Sequence, residues 1–126
     1  MTRFFSLMMV ACMGGATADP NAVKLELLEN VDAIRNAEID LLVVGEFTPC
    51  ESKEQATQKT TLQTRIWAGD KCWSDIGWAP NENVYGGYWV TVVDGSFTVH
   101  GVGPDLGDGK PIHIIATQQK TAYVQP

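Results

Sequence analysis

The stretch "YGGYWVTVVDGSFTVHGV", residues 85–102, alternates with period two on either side of Asp94-Gly95. Asp-Gly is the favoured two-residue hairpin turn, because both turn positions need positive φ. The alternation therefore predicts two antiparallel strands. The first puts Tyr88, Val90 and Val92 on one face and Trp89, Thr91 and Val93 on the other. The second sets Phe97, Val99 and Gly101 against Ser96, Thr98, His100 and Val102. One face is drier, as in a sheet packed on one side against a helix and wet on the other. Beyond the hairpin, "GPDLGDGKP" reads as a loop, "IHIIATQ" as a third strand and "KTAYVQP" as a fourth strand or a tail.

The helix that such a sheet needs lies upstream. Asp19-Pro20-Asn21 opens it, with Pro at a first helical position and Asn21 as the alternative cap. "AVKLELLENVDAIRNAEIDLLVV" then runs without Pro or Gly to Gly45. Leu27, Val31, Ile34 and Leu41 follow helical spacing, and Leu28 and Leu42 widen the stripe. Lys24, Glu29, Asp32, Arg35 and Asn36 fill the other side as ordinary surface residues. Gly45 ends the run as a left-handed cap. "LLVVGEF" has a second reading as the start of a strand, since four apolar residues in a row carry no period. Helix stripe and dry sheet face need each other, because neither is stable alone in water.

Between them, Glu46 to Pro80 shows no strong period. Glu51 to Gln58 reads as a short helix, "TLQTRIW" as a short strand and "IGWAPNEN" as a turn region.

The N-terminus "MTRFFSLMMVACMGGATADP" has Arg3, a short apolar run and Ala16-Thr17-Ala18. This is the order of an export signal cut after Ala18, too short for a membrane span. Residues 1–18 are thus expected to be a signal peptide and residues 19–126 one domain. A small residue before Cys12 opens an alternative, lipidation at Cys12 and a membrane anchor. In either case Cys50 and Cys72 remain. An even pair in an exported chain reads as a disulfide. A metal site would need more ligands, and His100 and His113 are the chain's two histidines. The formal charge of −6 argues against nucleic acid as a partner, since phosphates require a basic face.

From Asn21 to Thr121 the chain resembles the globular portion of type IV pilins in the form found in delta-type proteobacteria. The residues that carry the resemblance are "LLENVDAIRNAEIDLLVVGEFTPC", like the second half of a pilin helix entering its first loop. "DIGWAPNENVYGGYWVTVVDGSFTVHGVG" and the "PDLGDG" loop follow in the same order. The resemblance implies an α+β fold: one long N-terminal helix packed on a three- or four-stranded antiparallel sheet, a type IV pilin-like head. It also implies a role in a surface filament. Members of that family begin with an unbroken apolar helix bearing a Glu at its fifth position. "DPNAVKLELLEN" does not match it, so the expectation is a stand-alone head that does not self-assemble by the usual route.

Asp105 and Asp108 in a Gly-rich loop suggest calcium. Gly107 stands where the family loop carries another Asp, and Lys110 follows, so a plain turn is the expectation. His100 and His113 fall on neighbouring strand positions. A paired-imidazole metal site would need a third ligand, with Asp94 and Asp105 the unforced choices, and sheet-surface histidines are the plainer expectation. Ser74-Asp75 and Ser96 have no positioned base, so no catalytic set, no cofactor and no enzyme is expected. Among the aromatics, Trp78 and Tyr88 are expected inside, with Trp89 and Trp73 partly exposed as a contact surface.

The functional expectation is an exported structural subunit or accessory of a pilus-like filament, extracellular or at the cell surface, acting by subunit packing. Its partner would be a separately encoded helical pilin subunit or copies of itself, and a membrane only through a lipidated Cys12. The alternative is a periplasmic or surface-anchored binding module on the same scaffold.

Overall fold

The computed structural model describes residues 19–51, 64–67 and 69–126. Helix α1 spans Pro20–Asp40. Asp19, in extended conformation, is its N-cap and accepts the Asn21 N–H at 2.9 Å. Leu41–Val44 tightens into a 3₁₀ turn, so the strand reading of "LLVVGEF" does not hold. Gly45, at φ 108°, closes the turn through bonds to the Leu41 and Leu42 carbonyls. A short helix α2 follows at Lys71–Ile76. The sheet is β1 (Gly87–Val93), β2 (Ser96–Asp105), β3 (Pro111–Thr117) and β4 (Tyr123–Val124), antiparallel and in the order β1-β2-β3-β4.

The hairpin forms as its sequence dictates. Val93 pairs with Ser96, and both Asp94 (φ 52°) and Gly95 (φ 76°) are left-handed. Tyr88, Val90, Phe97, Val99, Ile114 and Ala116 are buried on the inner face, against Val23, Leu27, Val31 and Ile34 of α1. The stripe differs from expectation at its C-terminal end. Leu41 is half-buried and Leu42 exposed, and the last buried position is Glu38. The 3₁₀ turn changes the angular step per residue, so a helical projection stops predicting faces at Asp40.

Helix and sheet approach so closely that β2 gives up side chains. A Cβ on Gly101 would lie 2.6 Å from Val31 Cγ2 and 3.2 Å from the Tyr88 ring. Only hydrogen fits there.

Two residues expected as plain helix surface are tertiary latches instead. Arg35 donates to the carbonyls of Thr117 (2.7 Å) and Gln118 (2.9 Å). Asp32 accepts the Ala122 N–H at 2.7 Å. Together they fix the β3–β4 connection to α1, whose helical spacing alone gives no hint of that connection's position.

Cys50 and Cys72 form a disulfide. Cys50 also pairs its backbone with Val90 on the edge of β1, at 3.0 and 2.9 Å. The bridge therefore ties α2 to that edge. The expected helix from Glu51 to Gln58 lies, apart from Glu51, outside the described residues, as do Met1 to Ala18 with Cys12. Of the strand expected over 61–67, residues 61–63 also lie outside them, and Arg65 makes a single bridge to Val84.

Candidate functional site

Two side-chain clusters and one exposed turn stand out among the described residues. The first cluster is aromatic. Gly77, left-handed at φ 87°, ends α2 and turns the chain back, with the Trp78 N–H bonded to the Trp73 carbonyl at 3.1 Å. That reversal sets Trp78 against Trp73 with ring centroids 5.3 Å apart. Trp67 meets both at 5.4 Å, and Tyr88 closes the cluster at 5.8 Å from Trp78 and 6.1 Å from Trp67. All contacts are edge-to-face, the geometry in which a ring edge meets a neighbour's electron-rich face. Trp73 is 1% exposed, against the expectation of a partly exposed contact residue. Trp78, expected inside, is half-buried, as is Trp67, while Tyr88 is buried as expected. These rings extend the small core around the disulfide.

Glu26 anchors the polar edge of this cluster. Its carboxylate accepts the N–H groups of Tyr85 (2.9 Å) and Gly86 (3.2 Å) and the Tyr88 hydroxyl (2.7 Å). Asn30 donates to the same hydroxyl at 3.2 Å. Burial, reinforced by the Glu26 charge, drives the Tyr88 hydroxyl far above its ordinary pKa, so it stays a donor. Arg65 donates to the Gly86 carbonyl and lies 5.9 Å from the Trp67 ring centroid. Burial lowers its pKa, offset by Tyr88 and Glu26. A cleft of about 360 Å³ opens beside this network, lined by Glu26, Glu29, Asn30, Glu82 and Tyr85 among others. Sequence reasoning did not single out Glu26. The signal was present only as its spacing of four from Asn30, along one flank of the apolar stripe.

The second cluster lies on the outward sheet face. The register sets Trp89 opposite His100, and His113 one diagonal step away on β3, opposite Val102. Trp89 stacks on His100, centroids 4.6 Å apart and planes 5° from parallel. His100 Nδ1 and His113 Nε2 face each other at 3.0 Å. Burial, then the charge of His113, pushes His100 down to about 4, and burial pushes His113 down as well. At 3.0 Å the two nitrogens share a hydrogen bond, so one of them carries a proton and the other offers a lone pair. The sequence expected neighbouring strand histidines. It did not foresee that they would touch, because diagonal contact depends on register. Neither Asp94 nor Asp105 is brought to them as a third ligand: no group of three or more His, Cys, Asp or Glu side chains converges among the described residues.

In the Gly-rich loop, Asp105 Oδ1 accepts the N–H groups of Gly107 (2.8 Å) and Gly109 (3.1 Å). Both glycines are left-handed. The carboxylate folds its own turn, and Asp108 is exposed. Ser74 and Ser96 are exposed, and no base is bonded to either among the described contacts.

The exposed turn is Leu42-Val43-Val44, at 44%, 90% and 77% exposure. No helix among the described residues is long and apolar enough to cross a membrane. The chain matches no protein-family model, no curated protein and no solved structure at a significant level.

Proposed function

We propose that this chain is an exported structural subunit or accessory of a pilus-like filament at the cell surface, and that it works by packing against other subunits. The observation that carries the reading is the Leu42–Val44 turn. Three consecutive apolar residues stand exposed where α1 ends. Three consecutive exposed apolar side chains suit a packing surface. The helix-on-sheet architecture agrees with the pilin-like head that the residues from Asn21 to Thr121 resemble, and the disulfide agrees with an oxidising compartment. Fold hosts many functions, so the surface rather than the fold supports the reading. The partner is a copy of this chain or a separately encoded helical subunit. The interface should bury about 1,200 Å² or more in total.

The test is electron microscopy of filaments from the native cells, with this chain located by mass spectrometry and density. The expected result is the chain within or along the filament with residues 42–44 at a subunit contact. A soluble monomer carrying a small molecule in the cleft beside Glu26 would overturn the reading in favour of a binding module.

A further inference from the structure

Trp89, His100 and His113 form a row across three adjacent strands of the outward sheet face. Nothing in the packing of α1 requires that row, since the helix covers the opposite face. We propose that the facing nitrogens of His100 and His113 form a two-imidazole chelate for a divalent first-row cation, copper(II) foremost, with solvent completing the coordination.

The ligand type selects the class of ion. Metal–imidazole bonds run about 2.0–2.1 Å, so two nitrogens in a cis, right-angled arrangement lie about 2.9 Å apart and in a tetrahedral one about 3.3 Å. The observed separation is 3.0 Å. It is that of an ordinary hydrogen bond, and it is short enough for one ion to bridge both nitrogens after a small rotation of the rings. Copper(II) also binds nitrogen ligands most strongly among the first-row divalent ions.

The two ligands are already held side by side before an ion arrives. Each histidine is pinned by ladder pairing, and the Trp89 stack holds the His100 ring in place. Binding therefore orders little that is not already ordered, which lowers its entropic cost. The proton count balances. In the free protein one facing nitrogen donates to the other. When the cation binds, the donating ring adopts its other tautomer, its proton moving through solvent to the far ring nitrogen. Two neutral imidazoles thus ligate with no net proton release. With two protein ligands and open solvent positions the ion remains exchangeable, as in capture or transfer rather than structural anchoring. The inference stands on this pair alone and is independent of the filament reading.

The experiment titrates the full chain, its His100→Gln and His113→Gln variants and the double variant with copper(II) sulfate, read by calorimetry and electron paramagnetic resonance. One equivalent should bind wild type with hyperfine structure from two nitrogens. Each single variant should bind about a hundredfold more weakly, the low end of what linking two binding groups confers. Zinc sulfate should bind wild type more weakly than copper. A one-nitrogen spectrum in wild type, or equal affinity in wild type and the double variant, would overturn the proposal. Zinc equal to or tighter than copper would overturn the assigned ion class. Should a variant misfold, copper-induced line broadening in the NMR spectrum of wild type decides the matter. Broadening centred on His100 and His113 supports the site, and broadening centred on Glu26, Glu29 and Glu82 refutes it.

Discussion

Glu38 Oε1 accepts the backbone N–H of Thr48 at 2.8 Å, from a side chain with no exposed surface and a second oxygen that has no partner among the described residues. The contact ties the last turns of α1 to the segment leading into Cys50. Burial pushes the carboxyl up to about 7, and the Thr48 bond only partly offsets this. The folded pKa is thus above the ordinary 4.5. Below that ordinary value both folded and unfolded forms hold the proton, and no penalty exists. As pH rises from about 4.5 to about 7 the unfolded chain ionises freely while the folded one resists, so stability falls across that window by roughly 2–3 kcal/mol. Glu38→Gln keeps an acceptor for Thr48 and removes the titration. Denaturant melts at pH 4.5 and 7.5 should show wild type losing stability relative to this variant. A gap between the two proteins that does not change with pH would refute the assignment.

Arg35 and Asp32 hold the β3–β4 connection from the helix. Arg35→Ala leaves two carbonyls without their charged donor and should cost about 1.5–3 kcal/mol, with Arg35→Lys recovering only part. Asp32→Ala should cost about 1 kcal/mol. Asn36, exposed on the same helix, is the control and should change stability little. Thermal melts rank the four. Amide exchange at Ala122 should speed up in Asp32→Ala and stay slow in the Asn36 variant.

How far the sequence revealed this molecule follows from the range of each signal. The hairpin and its turn were legible because alternation and Asp-Gly act between near neighbours. Leu27, Val31 and Ile34 were legible because an α-helix repeats its faces. Helix α2 was missed, although Asp70 before it and Gly77 after it are ordinary boundary residues. Six residues carry too little period to register. The latches at Asp32, Arg35 and Glu26 join residues 59 to 90 positions apart, which no local pattern encodes. Trp73 was misplaced for a related reason: its burial depends on Trp67 and Trp78 folding over it through the Gly77 reversal. The histidines were placed on the correct face, but their contact required the β2–β3 register.

Gly101 is where the close approach of helix and sheet is most directly tested. An added methyl would meet Val31 Cγ2 at 2.6 Å, with the Tyr88 ring closing the other side. Gly101→Ala should cost about 1–3 kcal/mol through overpacking. Val31→Ala alone should also destabilise, by leaving a cavity. The two combined should cost less than their sum, because each change removes the other's misfit. Strict additivity in denaturant melts would mean that α1 simply shifts away and that the fit is loose.

The Cys50–Cys72 bridge joins residues 22 apart and clips α2, with its buried Trp73, to the edge of β1. Loop closure of that length is worth about 3 kcal/mol. Intact mass should drop by two hydrogens relative to reduced protein. Reduction should lower the melting temperature and expose the tryptophan cluster, read as a red shift in fluorescence. Cys50→Ala with Cys72→Ala should behave as reduced wild type does. A melting temperature unmoved by reduction would show that the helix–sheet core holds α2 without the bridge.

If the proposed packing role is right, the Leu42–Val44 turn should separate stability from assembly. Val43 and Val44 are 90% and 77% exposed, so Val43→Asp and Val44→Asp remove no core contact and should leave the melting temperature within about 0.5 kcal/mol equivalent of wild type. A packing surface desolvates such side chains, and a buried unpaired carboxylate is strongly unfavourable. Incorporation of the chain into native filaments should therefore fall sharply in both variants while secretion and folding persist. Glu46→Lys, at an exposed position just beyond the turn, serves as the charge control. Because the same residues are nearly inert in the isolated domain, a loss confined to assembly would assign them to the interface. If both aspartate variants enter filaments as wild type does, the turn is not the packing surface. A partner would then have to dock elsewhere, and the outward sheet face around Trp89 is the next place to look.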